Sequence, residues 1–141
     1  MPTTPHEPRS IDPEAPPAVA GSSRASLPRV VNALLNSVDG LRAAWSEAAF
    51  RQEVFLAAIL VPCAFSVPVA PVERAALVAS VVLVLVVELL NSAVEAAIDR
   101  ISLDRHALSK RAKDIGSAAV LVSLLLCGLV WSILLVPLVL R

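Results

Sequence analysis

The stretch VASVVLVLVVELLNSAVEAAIDR, residues 78–100, begins with ten residues suited to a bilayer and continues with Glu88, Asn91, Glu95 and Asp99. Ionisable groups are expensive in hydrocarbon, so inside a membrane helix they are functional suspects by default. At about 100° per residue the four polar groups fall within an arc of roughly 80° on one helix face, with Leu, Val and Ala on the others. A stripe of this kind must face protein or water, which predicts that the helices associate. Three spans offer little interior to hide it, so the expectation is a homo-oligomer. Interhelical glue is the plainer reading, since an asparagine alone often serves that purpose. Two glutamates and an aspartate are a heavy charge load for glue.

Composition supports the membrane reading. Of the 141 residues, 57% are hydrophobic, and the mean hydropathy of +0.76 exceeds that of an ordinary soluble domain. The formal net charge is +0, which gives no global basic field for nucleic acid. Cys63 and Cys127 each sit in an apolar run far from a second thiol or histidine, so they read as small buried hydrophobes and not as a disulfide or zinc framework. Only four glycines occur, and neither GxxxxGK[ST] nor GxGxxG is present, so any nucleotide phosphates are handled without a glycine-rich loop.

Residues 1–26 hold six of the eleven prolines and few large apolar side chains, which predicts a disordered tail. The tail lacks the apolar h-region of a signal peptide and is expected to be retained. The remainder, 27–141, reads as one membrane domain. In SLPRVVNALLNSVDGLRAAW the apolar positions recur at helical spacing between polar ones, Ser26 can cap, and Pro28 is tolerated in the first turn. That predicts an amphipathic surface helix over 27–46. Three apolar segments follow, with spans at about 48–67, 72–99 and 107–140, each long enough to cross hydrocarbon about 30 Å thick. The fold class expected is an all-α membrane protein. Ten of the twelve Lys and Arg residues fall on one side of such an arrangement, Arg74 and Arg141 on the other. The positive-inside rule then puts the N-terminus and the lower half of the polar stripe in the cytoplasm, where ATP is.

Carboxylates suit Mg²⁺, which is usually held by one or two of them together with substrate phosphates. A further, poorly solvated carboxylate can act as a general base. Glu47 lies at the cytoplasmic entrance of the first span, and Lys113 and Asp114 lie at that of the third. Converging at a membrane surface, these groups fit phosphoryl transfer, where positioning and electrostatics do most of the work. They fit a proton or cation pathway as well, and spacing alone does not separate the two.

Three blocks, GLRAAWSEAAFRQE (40–53), VELLNSAVEAAIDRI (87–101) and LSKRAKDIGSAAVL (108–121), resemble the small integral-membrane diacylglycerol kinases of bacteria. That family's members are homotrimeric bundles of three-span chains with active sites shared between subunits. They move the γ-phosphoryl of MgATP to the primary hydroxyl of diacylglycerol, giving phosphatidic acid. The resemblance implies Glu88 as general base with Asn91 beside it, and Glu47 and Glu95 as the Mg²⁺ carboxylates. It places Arg29, Asn36, Glu47, Glu95, Asp104, Arg105, His106, Lys113 and Asp114 about the nucleotide. A solvated loop histidine is the plainer reading of His106. Arg29, Arg42, Trp45, Glu53, Glu88 and Ser117 are implied at the lipid site. One departure bears on geometry: only Ser46 separates Trp45 from Glu47, where the family usually has two residues. Within a continuous helix that deletion would turn the upstream residues by roughly 100° relative to Glu47, unless a break absorbs it.

Two other functions fit the same stripe. The related undecaprenol kinases share the E-x-L-N-[ST]-A-x-E run, although their block after K-D usually reads more like A-A-G-A than the I-G-S-A-A seen here. A non-enzymatic membrane oligomer or ion pathway would give flux without ATP turnover, or neither.

Overall fold

The computed structural model describes residues 27–101 and 106–140; the expected tail, Asp104, Arg105 and Arg141 lie outside them. Four helices follow one another: α1 (Leu27–Trp45), α2 (Ala48–Ser66), α3 (Pro71–Ile101) and α4 (Ala107–Val139). By length and composition α2, α3 and α4 are each able to cross a membrane. α3 is the central helix, packed along α4 on one side and α2 on the other, and α1 touches α2.

Each boundary has a local cause. α1 stops at Trp45, and Ser46 and Glu47 turn back through backbone bonds to Ala43 and Ala44. Glu47 is the N-cap of α2 with an extended backbone (φ −77°, ψ 131°). This break absorbs the short Trp45–Glu47 spacing, so α1 and α2 need not share a helical phase. Arg51, one turn into α2, holds the joint by donating from Nη1 to the carbonyls of Trp45 (2.9 Å) and Ser46 (2.7 Å). At the other end α2 stops at Ser66, because Pro68 disfavours helical backbone at Val67 (ψ 144°). α3 then starts with Pro71, a residue pre-set for a first helical position. Glu73 accepts the Ala70 N–H at 2.8 Å, half of a capping box. The Arg74 guanidinium donates to the carbonyls of Ala64 (3.1 Å), Val67 (3.2 Å) and Val69 (3.5 Å) and lies over the Phe65 ring. It thereby satisfies acceptors that the end of α2 leaves open.

The interior mixes small and polar residues with a few larger apolar ones, and most of the large apolar side chains face outward. Along α2 the buried positions are Phe50, Ala57 and Ala64, seven residues apart; along α4 they are Ser123 and Cys127. α3 contributes Leu77, Ser80, Val81, Val84 and Glu88. Small residues on such seams let membrane helices approach closely. Buried hydroxyls bond back to their own helix, Ser80 to Leu77 O and Ser123 to Val120 O. Phe55, Ile59, Leu121, Leu125 and Ile133 point outward, an apolar surface far larger than a soluble monomer carries and one suited to lipid. Cys63 also faces outward, so of the two cysteines read as buried only Cys127 is.

Pairings across the α3–α4 seam fix its direction. Asp99 meets Lys113, Asn91 meets Gly116, and Ser80 meets Cys127. Positions fall along α3 as they rise along α4, so the helices are antiparallel. Asp99, Glu95 and Lys113 therefore share one end of the bundle with Glu47, Arg51 and Arg111, and Arg74 sits at the other.

Candidate functional site

Helical spacing carries the polar stripe down α3, and the packing then gives each member a different environment. Glu88 is 3% exposed, buried within a single chain. The deepest member of the stripe is therefore already buried by the chain's own helices, while the members nearer the surface are not. Asn91 and Glu95 are half-buried and Asp99 is exposed. Asn91 Nδ2 points toward Glu95 Oε1 at 3.5 Å, a long contact, and Glu88 lies one turn away on the same helix face. Its Oδ1 is buried without a partner.

Further carboxylates lie near this face. Glu53, one turn and a half into α2, is half-buried, with Oε2 shut away from solvent and unpaired. Glu53, Glu95 and Glu47 all lie close enough to Glu88 for their charges to interact with it. Glu47 is exposed at the α1–α2 joint and, although it is the N-cap, makes no side-chain capping bond, so its oxygens are free for another ligand. Carboxylates from two helices and a joint thus share the neighbourhood of Glu88. Burying like charges together is costly unless something positive or a proton joins them.

The positive groups come from α4. Lys113 reaches across the seam to Asp99 Oδ1 at 2.6 Å and also feels Glu95. Asp114 pairs back along α4 with Lys110, again at 2.6 Å. Both bridges are open to solvent, a setting in which an ion pair adds little to stability. Between α1 and the same end of α3 lies an open, mainly apolar cleft of about 680 Å³. Gly40, Ala44 and Glu47 line one wall, and Ser92, Ala93 and Ala96 the other.

Other expected site residues stand apart. Arg29, Asn36, Trp45 and Ser117 are exposed, and among the described residues no hydrogen bond joins them to the stripe. Arg42 pairs with Asp39 at 3.2 Å on the outer side of α1. His106 is the N-cap of α4, its Nδ1 accepting the Leu108 N–H at 3.2 Å, which gives this exposed histidine a structural task. Asp104 and Arg105 are outside the described residues. No group of three His, Cys, Asp or Glu side chains is close enough to hold a metal by itself among the described residues. Arg51 and Gly116 were not among the expected residues, although both touch the site. A lone arginine in the first turn of an apolar helix was the available signal for Arg51.

The sequence profile of the prokaryotic diacylglycerol kinase family matches residues 35–135, the joint, the stripe and the α4 entrance together. The chain belongs to that family. It is 50% identical over 113 residues to a diacylglycerol kinase of Pseudomonas aeruginosa, covering 79% of this chain and 92% of the relative. A diacylglycerol kinase of Escherichia coli K12 is 49% identical over 110 residues, 76% of this chain and 88% of the relative. One from Helicobacter pylori is 39% identical over 129 residues, 91% and 97% of the two chains. In this member of the family the stripe lies on the central helix, with Glu88 buried.

Proposed function

We propose that this chain is a bacterial inner-membrane lipid kinase that transfers the γ-phosphoryl group of MgATP to the primary hydroxyl of diacylglycerol, releasing phosphatidic acid, ADP and a proton. The observation that carries this reading is the enclosed Glu88 carboxylate beside Asn91, in a chain of the diacylglycerol kinase family. Glu88 lies seven residues, or roughly 10 Å along the helix, deeper than Glu95. A lipid hydroxyl arriving from the bilayer meets Glu88, while phosphates arriving from water meet Glu95, Glu47 and Lys113 nearer the surface. Glu88 takes the hydroxyl proton as the oxygen attacks the γ-phosphorus. Asn91 orients Glu88 and the incoming hydroxyl, and Lys113 exchanges its Asp99 bridge for phosphate oxygens.

The donor set fits Mg²⁺. Glu47 and Glu95 are hard oxygen ligands without a short hydrogen bond of their own. The absence of a three-ligand protein cage is no obstacle, since Mg²⁺ takes one or two carboxylates and completes its shell with phosphates and water. When bound, the ion would neutralise phosphate charge that the carboxylates alone would repel.

The finer arrangement follows the same reading. α1 lies on the cytoplasmic surface, residues 27–141 form the kinase domain, and the N-terminus is cytoplasmic because ten of the twelve cationic residues then lie inside. A homotrimer covers the half-exposed side of Asn91 and Glu95 and brings the remaining nucleotide- and lipid-facing residues, Arg29, Asn36, Arg42, Trp45 and Ser117, to a neighbour's stripe. The test offers detergent-purified protein MgATP with diacylglycerol, ceramide or undecaprenol and asks which lipid gains phosphate. Phosphate on diacylglycerol is expected; phosphate on undecaprenol alone, or ATP-independent ion flux with no transfer, would overturn the reading.

A further inference from the structure

Three glycines lie in the described helices, and only one uses its missing side chain. A Cβ built on Gly40 or Gly128 meets nothing within 4 Å. A Cβ on Gly116 would overlap Asn91 Oδ1 and come within 3.3 Å of Asn91 Cγ. Backbone conformation does not explain the glycine, since no described glycine has a positive φ. A mid-helix glycine is less favourable than alanine, so Gly116 weakens α4 unless the space it leaves is needed. Asn91 Oδ1, buried and without a hydrogen-bond partner, is the atom that fills that space. The amide is therefore seated by shape and not by a bond on that side. Its Nδ2 is directed to the carboxylate side of the seam, toward Glu95 Oε1 at 3.5 Å, with Glu88 one turn away on the same face.

We propose that Gly116 is a positioning residue for phosphoryl transfer: the notch it leaves in α4 seats the Asn91 amide so that it addresses Glu88. The inference rests on the reading of Glu88 and Asn91 as the reacting face. Adding one methyl group at 116 drives out the end of a side chain, which turns more easily than two helices separate. The consequence falls on Asn91's aim more than on the fold.

The experiment compares Gly116→Ala, Asn91→Ala and the double variant, each as the full chain purified in detergent, by kcat, KM for MgATP and thermal midpoint. Gly116→Ala is expected to lower kcat about tenfold to a hundredfold, as misplacement of a group by about 1 Å does. KM for MgATP should hold within about twofold, since an interaction lost only in the transition state leaves KM unchanged. The midpoint should be equal or higher, because alanine suits a helix better. The double variant should be no slower than Asn91→Ala, because residues acting through one another do not add. If Gly116→Ala instead lowers the midpoint, the double variant, which vacates the space, must regain it. Full kcat in Gly116→Ala, losses that multiply in the double variant, or a lowered midpoint that the double variant fails to restore would each overturn the proposal. Full activity in Asn91→Ala would overturn the site reading with it, whereas a slow Asn91→Ala beside a fast Gly116→Ala overturns the positioning role alone.

Discussion

Glu88→Gln replaces one carboxylate oxygen by an amide nitrogen and keeps the shape of the side chain. In the folded chain that position is 3% exposed and has Glu95, Glu47 and Glu53 as carboxyl neighbours. The substitution therefore has opposite effects on two observables. A general base contributes about a hundredfold to ten-thousandfold, or roughly 2.7–5.4 kcal/mol at about 1.36 kcal/mol per factor of ten. An amide cannot accept the hydroxyl proton, so kcat should fall by at least the lower figure. Stability should not fall, because the exchange takes a carboxylate out of a cluster of carboxylates and leaves a side chain of the same shape that can still hydrogen-bond. The assay follows ADP release in mixed micelles containing diacylglycerol, with a thermal melt of the same sample and nucleotide binding measured separately. The expected outcome is a slow enzyme with an unchanged or raised melting midpoint and unchanged nucleotide binding. A variant that turns over at the parent rate would show that Glu88 is packing and that the proton goes elsewhere. A variant that is slow only because it melts lower would equally sink the argument.

Glu47→Gln and Glu95→Gln should each raise the Mg²⁺ concentration needed for half-maximal activity, since an amide is a poorer ligand for a hard cation; a titration unchanged in both removes them from the metal site. Arg74→Ala should lower unfolding free energy by about 2 kcal/mol through the loss of charged hydrogen bonds to carbonyls. It should leave kcat alone, and a melt identical to the parent's would show those contacts to be idle. A cysteine introduced at position 70, with Cys63 and Cys127 replaced, should be labelled only from the side opposite ATP, and labelling from the cytoplasm would invert the topology.

The central helix was legible because its signal is local: an apolar run plus four polar groups on one arc needs only the 3.6-residue period to be read. The three long apolar helices were legible for the same reason. What proximity decides was not. Lys113 and Asp114 are neighbours in sequence, yet successive helical residues point about 100° apart, so one bridges to Asp99 and the other to Lys110. Arg74 looks like a stray charge in the far turn until the carbonyls of Ala64, Val67 and Val69 are seen around it. Gly116 reads as an ordinary small residue, because its meaning lies in Asn91, twenty-five positions earlier. The short Trp45–Glu47 spacing flagged a discontinuity, but only the extended Glu47 backbone shows that a joint takes it up.

The clasp at Arg74 also orders events during biosynthesis. Every group it binds lies within ten residues of it, and short loops close far faster than long ones. The α2–α3 hairpin can thus close on itself as soon as its own residues have left the ribosome. Gly116 and Lys113 are made later, with α4. A half-made chain can hold a finished hairpin and still have no seat for Asn91 and no cation for phosphate. Competence to react therefore arrives last, with the docking of the final helix.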